Sequence, residues 1–241
     1  MNRDQIKYVA MFTMLLNHIA NVFLEPGTFL FEVMVDVGYF TAITMCYFLV
    51  EGYGYTRSKE KYGKRLLLFA LISEIPFNYL YYSSPVFPFH QNVMFTFFIA
   101  LLLMLGLEKV RSKGARLYIL AAVLSLPVGY FLGTIGMVDY YGSGVVTVLI
   151  FYLCRQIPYG WIGEVAGLAF LNCKLLGGMT IPLTLGSWTL EFPEQGLALL
   201  ALIPIWLYNG RQGAHNKAIQ YACYAFYPAH MLILALLRMY L

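Results

Sequence analysis

Three polar side chains in the first apolar segment have a spacing that can support acid–base chemistry. Asn17, His18 and Asn21 lie within the otherwise apolar run MLLNHIANVF. Residues at i, i+1 and i+4 fall on one side of an α-helix, so the three form a polar stripe. Histidine gains or loses its charge near neutral pH and serves as a general base or a nucleophile. The pattern therefore indicates a histidine-centred site inside an apolar helix.

Polar side chains recur in the later apolar segments, where an ionisable group at mid-bilayer costs about 2.5–3.5 kcal/mol and indicates function. They are Glu51, Glu74, Asn92, Thr96, Glu164, Lys174 and His230. A lone histidine can also serve packing alone, by hydrogen-bonding a neighbouring helix. Glu51 can pair with Arg57 or Arg65 at the inner interface. Glu74 fits packing least well, because a carboxylate in the middle of a span needs a partner or a proton.

The composition defines the surroundings of these side chains. The chain has 241 residues, of which 60% are hydrophobic and 12% charged, about half the charge of a typical soluble domain. Apolar segments lie near residues 6–24, 34–54, 65–82, 92–108, 115–132, 142–154, 160–184, 196–208 and 218–240. About 20 apolar residues cross the hydrocarbon core of a bilayer. We therefore predict an all-α, polytopic transmembrane helical bundle of about nine spans (eight to ten), forming a single domain over residues 1–241.

The seventh of these segments, residues 160–184, is long and contains Lys174, Gly177, Gly178 and Pro182. These residues favour a broken or re-entrant element, which a membrane tolerates where protein or water covers the backbone.

The basic residues predict the orientation. With the N-terminus inside, 14 of the 16 Lys and Arg residues fall on inner segments, and the outer loops carry only acidic charges. Because cytoplasmic loops are enriched in Lys and Arg, the N-terminus is predicted to be cytoplasmic. The four cysteines have no metal-ligand spacing, and we expect no metal site, disulfide or nucleic-acid partner. From the residues alone, a histidine-centred enzyme, a proton-coupled transporter and a non-catalytic membrane subunit remain open.

The first segment also resembles a known family. MLLNHIANVF is similar to the Met-x-x-Asp-His-Ile signature of TraX-type membrane proteins. The similarity continues at residues 48–78, 91–96, 207–213 and 224–230, in the family's order and over nearly the whole chain. One position differs: Asn17 stands where the family more often has aspartate. An asparagine can orient an imidazole but supplies no charge.

The resemblance implies an enzyme of the bacterial cytoplasmic (inner) membrane. TraX proteins of conjugative plasmids are implicated in N-terminal acetylation of pilin, and their relatives are grouped with membrane acyltransferases. The expected function is transfer of an acetyl or other acyl group from cytoplasmic acetyl-CoA to an acceptor amine or hydroxyl at or across the membrane. The acceptor class, whether peptide (a pilin N-terminus included), sugar or lipid, stays open. A proton-coupled transporter or export permease is the alternative.

The expected roles follow the same resemblance. His18 is expected to act as general base or as transient acyl carrier, oriented by Asn17 and Glu74. The donor site is expected to contain cations for the phosphates and polar groups for the thioester oxygen: Arg57, Lys61, Arg65, Asn92 and Thr96. Residues predicted to contact the acceptor substrate are Glu51, Asn209, Tyr227 and His230.

Overall fold

The structure, a computed structural model, describes residues 1–186, 188–213 and 217–240. The helices are α1 (Arg3–Phe23), α2 (Phe29–Tyr55), α3 (Lys59–Tyr82), α4 (Val93–Arg111), α5 (Ala115–Ile135), α6 (Tyr141–Cys154), α7 (Gly160–Phe170), α8 (Leu202–Trp206) and α9 (Lys217–Tyr240). A π-helical segment (Leu171–Leu176), strands β1 (Thr180–Leu185) and β2 (Trp188–Pro193), and a 3₁₀ helix (Glu194–Ala201) lie between α7 and α8.

Five of the described helices are long and apolar enough to cross a membrane. They are α1, α2, α4, α5 and the Tyr221–Tyr240 part of α9. The chain is therefore a mostly helical membrane protein. Helix α6 has only 14 residues, and α3 begins with the charged sequence KEKYGKR. By length and composition, the described helices fall short of the nine spans predicted from the sequence.

The segment at 160–184 is broken, as its glycines predicted, but its second half is not helical. Gly177 and Gly178 have φ values of 59° and 86°, a left-handed backbone that ends the helix and that glycine adopts without strain. The chain then forms an antiparallel hairpin, whose register runs from Thr180↔Pro193 to Leu185↔Trp188. The all-α prediction is wrong for residues 180–185 and 188–193, because hydrophobicity alone does not distinguish a short apolar helix from a strand.

Contacts divide the chain into two compact units. The first unit comprises Met1–Met45, Tyr79–Ser83 and Leu168–Leu241, and the second comprises Cys46–Asn78 and Ser84–Gly167. The single domain predicted from the sequence stays a prediction.

Helices α1 and α9 run in the same direction within the first unit. At the start of α1, the Arg3 amide donates to the Arg211 carbonyl (2.9 Å), six residues before α9. Farther along, His18 contacts His230 (2.7 Å). The early part of α2 runs antiparallel to α1, and the hydroxyls of Thr13 and Thr41 meet at 2.8 Å. These contacts bring the histidines of the first and last helices to the same level.

Gly38 allows α2 to approach α1 closely at the polar stripe. A methyl group at position 38 would lie 2.4 Å from Cβ of Asn17 and 2.5 Å from its amide nitrogen. We predict that Gly38→Ala lowers the free energy of unfolding by about 1–3 kcal/mol, because the two helices must move apart.

Gly106, in α4, is the matched control, since a methyl group there meets nothing within 4 Å. Alanine favours a helix over glycine, so Gly106→Ala should not lower the unfolding temperature of the detergent-solubilised protein. Equal unfolding temperatures for both variants would contradict the close approach at Gly38.

The second unit is built on α4, α5 and α6. A methyl group at Gly142 would lie 2.1 Å from the Tyr130 carbonyl oxygen, so α5 and α6 pack with their backbones close together. At one end of the unit, Gln156 accepts hydrogen bonds from Arg111 (2.8 Å) and Tyr118 (2.9 Å). Helix α3 lies antiparallel to α4: Asn92 at the start of α4 donates to the Ala70 carbonyl (2.8 Å), whereas Gly63, earlier in α3, faces Leu101, later in α4.

Candidate functional site

The imidazoles of His18 and His230 are directly hydrogen-bonded in the first unit. Nδ1 of His18 lies 2.7 Å from Nε2 of His230. The ring planes are 7° apart and the centroids 4.9 Å apart. Atoms of rings stacked face to face stay about 3.5 Å or more apart, so a contact of 2.7 Å means that the two rings meet at their edges.

The carbonyl of Phe226 determines which ring nitrogens of the pair carry protons. Nδ1 of His230 lies 2.7 Å from this oxygen, which can only accept, so Nδ1 of His230 is the donor. In a neutral His230, Nε2 is then an acceptor, and Nδ1 of His18 must donate to it. A neutral His18 consequently carries no proton on Nε2. This nitrogen has the free lone pair that a general base or a nucleophile requires.

Aromatic rings surround the histidine pair. Phe226 stacks on the His230 ring, with centroids 4.6 Å apart, and the Tyr227 ring lies 6.0 Å from it. The Tyr81 ring meets His18 edge-on at 6.0 Å. His230 and Tyr227 are buried, whereas His18 stays partly exposed. The arrangement holds His230 rigidly, and part of the His18 residue stays exposed.

Asn17 makes different contacts from those expected. Its amide nitrogen donates to the Val35 carbonyl (3.3 Å), and its oxygen accepts from the Asn21 amide (3.0 Å). The Nδ1 partner of His18 is His230. Asn17 therefore links α1 to α2, and His230 fixes the His18 tautomer.

Glu74 and Asn92 are brought together in the second unit. The Glu74 carboxylate accepts from the Asn92 side-chain amide (2.5 Å) and backbone amide (3.2 Å) through the same oxygen. Its other oxygen, Oε1, is buried and has no hydrogen-bond partner among the described residues. The Thr96 hydroxyl donates to the Asp139 carbonyl (2.8 Å). The side-chain donors of Asn92 and Thr96 are thus directed at acceptors of the protein, and their role at a thioester stays a prediction.

Three of the other predicted residues, Arg57, Lys61 and Arg65, belong to the second unit, and Asn209 belongs to the first. Arg57, Lys61 and Arg65 are exposed, so their charges are accessible to an anion. The backbone amide of Asn209 donates to the Met1 carbonyl (3.0 Å), at the start of α1. His18 is 15 residues beyond Arg3, about 22 Å farther along this helix.

Glu51 pairs with neither of the arginines considered from the sequence. Its carboxylate accepts from Arg155 (3.0 Å) and from the Tyr47 hydroxyl (3.2 Å). Arg155 is one of the 14 basic residues on the predicted inner segments, and no sequence motif distinguished it from the others. The role of Phe226 could have been predicted from the sequence, because it stands four residues before His230 and therefore one helical turn away.

Comparison with known proteins agrees with the signature in α1. Residues 2–238 match the family described as TraX protein. The chain belongs to the TraX family. It is also 30% identical, over 249 aligned positions, to the probable fimbrial assembly protein FimC, serogroup H1, of Dichelobacter nodosus. That alignment covers 98% of this TraX-family chain and 96% of the relative. No solved structure matches the chain significantly.

Proposed function

We propose that this TraX-family protein is a membrane-embedded acyltransferase that moves an acetyl group from acetyl-CoA to an acceptor amine or hydroxyl. The proposal depends on one observation, the contact of His18 Nδ1 with His230, which leaves Nε2 of a neutral His18 without a proton. A ring nitrogen with a fixed lone pair and a partly exposed position suits a base that must meet a substrate.

The chemistry requires one proton acceptor. Nε2 of His18 takes a proton from the acceptor as its nitrogen or oxygen attacks the thioester carbonyl carbon. The tetrahedral intermediate then collapses, the carbon–sulfur bond breaks, and the thiolate of CoA receives the proton from Nε2. In the alternative route, Nε2 attacks the thioester carbonyl carbon, the carbon–sulfur bond breaks, and CoA leaves as the thiolate. The acceptor then attacks the acetyl carbon, the bond to Nε2 breaks, and the acceptor's proton passes to the thiolate. Both routes use the same nitrogen and leave the His18–His230 bond in place.

The donor is proposed to come from the cytoplasm. With about nine spans and a cytoplasmic N-terminus, Arg57, Lys61 and Arg65 face the cell interior, where acetyl-CoA is available. All three are exposed, and lysine and arginine bind phosphates well. The membrane is proposed to be the bacterial inner membrane.

The acceptor is proposed to be a peptide amine of a pilin-type substrate. The support is the relative's name, a fimbrial assembly protein, together with membership of the TraX family. A neutral imidazole can remove the proton that an attacking amine must lose.

A proton-coupled transporter is the second candidate. The unpartnered Oε1 of Glu74 favours it, because a buried carboxylate oxygen without a donor is a place for a proton. In this function, Glu74 and the two histidines would each accept and release protons.

Proteoliposomes distinguish the two candidates. We expect purified protein with labelled acetyl-CoA to acetylate a peptide with a free N-terminus, and not the same peptide with a blocked N-terminus. Labelled sugar and lipid products are measured in the same reaction, since they would indicate a different acceptor. Absence of any labelled product, together with solute flux driven by a pH gradient, would replace the acyltransferase by the transporter.

A further inference from the structure

In the second unit, a buried carboxylate near the end of α2 holds an arginine that follows α6. Glu51 is only 7% exposed. Its Oε2 accepts from Nη1 of Arg155 (3.0 Å), and its Oε1 accepts from the Tyr47 hydroxyl (3.2 Å). Both oxygens have partners, so the carboxylate is fixed in place. Glu51 thus holds Arg155, and its predicted contact with substrate stays a prediction.

The guanidinium of Arg155 turns one face toward Gly54 of α2. Its Nη1, Cζ and Nη2 atoms are 3.6–3.7 Å from the position that a Cβ atom of Gly54 would occupy. Nearly equal distances to three coplanar atoms mean that the face of the group is turned toward the glycine. The Arg155 side chain stays 44% exposed. The group is therefore held through Nη1, and among the described residues its other N–H donors make no hydrogen bond.

The two cations Lys59 and Arg155 lie beside the last turn of α2. The Nζ atom of Lys59 donates to the Tyr53 carbonyl, one residue before Gly54, and lies 4.0 Å above the Tyr53 ring. Lys59 and Arg155 thus converge on the last turn of α2. The guanidinium of Arg155 has no described carboxylate partner besides Glu51. An arginine whose only role was to stabilise the C-terminal end of a helix through its dipole would not need a hydrogen bond to a buried carboxylate.

We propose that Arg155, positioned by Glu51, binds a phosphate group of the acyl donor. The planar guanidinium can donate two parallel hydrogen bonds to a phosphate, which gives both affinity and orientation. This inference rests on the proposed function for the identity of the ligand, CoA. Arg155 adds a fixed donor to the exposed side chains predicted from the sequence, and Glu51 acts through it as a positioning residue.

The test is CoA binding to the purified protein, measured by titration calorimetry in nanodiscs. We expect Arg155→Ala to weaken CoA binding by about 10- to 100-fold, the loss typical of a hydrogen-bonded charge. Arg155→Lys should fall between the two, because it keeps the charge but loses the fork of donors. Arg116→Ala is the matched control: Arg116 is an exposed cation at the start of α5, and its removal should leave binding unchanged.

Two further arms identify the phosphate. Pantetheine, which lacks the phosphates of CoA, should bind wild type and Arg155→Ala equally. The penalty for CoA should also be the same in phosphatidylcholine nanodiscs and in nanodiscs that contain phosphatidylglycerol. Equal CoA affinity in the wild type and in Arg155→Ala would overturn the proposal. So would a penalty that appears only with phosphatidylglycerol, since it would make the ligand a lipid headgroup.

The double variant Glu51→Gln with Arg155→Ala guards against misfolding, because it leaves no unpaired buried carboxylate. It should fold and bind CoA as weakly as Arg155→Ala. The binding assay needs no turnover, so failures of the two proposals are distinguishable. A wild type that binds CoA through Arg155 but transfers no acetyl group would contradict the acyltransferase alone. Acetyl transfer with an unchanged KM for acetyl-CoA in Arg155→Ala would contradict the phosphate site alone.

Discussion

Replacing His18 by alanine is expected to lower the rate of acetyl transfer by about 10²- to 10⁴-fold, the usual contribution of a general base. The substitution removes the Nε2 lone pair and leaves the buried Nε2 of His230 without its donor. A nucleophilic role would give a fall at least as large. The measurement is transfer of labelled acetyl from acetyl-CoA by equal amounts of membrane-inserted protein, with kcat and KM determined separately.

His90 provides the matched histidine control for this experiment. It lies in the second unit, where its Nε2 is 3.6 Å from the Asp139 carboxylate. His90→Ala should retain acetyl transfer within a few-fold of wild type. If His18→Ala inserts normally and transfers acetyl at the wild-type rate, His18 has no part in the chemistry.

Replacing His230 by leucine is expected to lower kcat by about 10- to 100-fold and to leave the KM for acetyl-CoA nearly unchanged. Leucine cannot accept the His18 Nδ1 proton, so the His18 ring loses the constraint that keeps Nε2 free. The expected loss is smaller than that for His18→Ala, because the base itself remains. In the other tautomer, Nε2 of His18 carries the proton and cannot act as the base. Loss of the group that orients a catalytic histidine lowers kcat strongly.

His230→Gln tests whether His230 acts by accepting the hydrogen bond that orients the His18 ring. The Gln side-chain oxygen can accept a hydrogen bond, so this variant should recover much of the activity that leucine loses. Nitrogen NMR of labelled histidine reports directly which His18 nitrogen is protonated, and the signal of Nε2 should change in the leucine variant only. Equal activity for the leucine variant and the wild type would show that the tautomer of His18 does not depend on His230.

The histidine pair also gives a physical reason for the asparagine at position 17. A carboxylate cannot donate, whereas the Asn17 amide donates to the Val35 carbonyl, at the level where Gly38 lets the helices meet. A neutral imidazole, His230, occupies the place beside His18 that an acid fills in Ser-His-Asp sites. His230 orients His18 as an acid would, but it adds no negative charge to stabilise an imidazolium.

The sequence by itself determined the features that depend on local composition. Apolar length and low charge established a helical membrane protein, and the glycines at 177 and 178 indicated the break after α7. The polar stripe identified His18, and the ordered signature blocks identified the TraX family. Each of these follows from residues that are neighbours along the chain, where helical spacing and chain reach can be read directly.

Only the tertiary structure decided which polar groups are partners. His18 and His230 are separated by 212 positions, and Glu51 and Arg155 by 104. No periodicity relates such residues. Parallel packing of α1 and α9 joins the first pair, and the position of the end of α6 beside α2 joins the second. The sequence supplied the ionisable groups. Helix packing decided that Nε2 of His18 has no partner in the histidine pair and that the Arg155 guanidinium is held by Glu51.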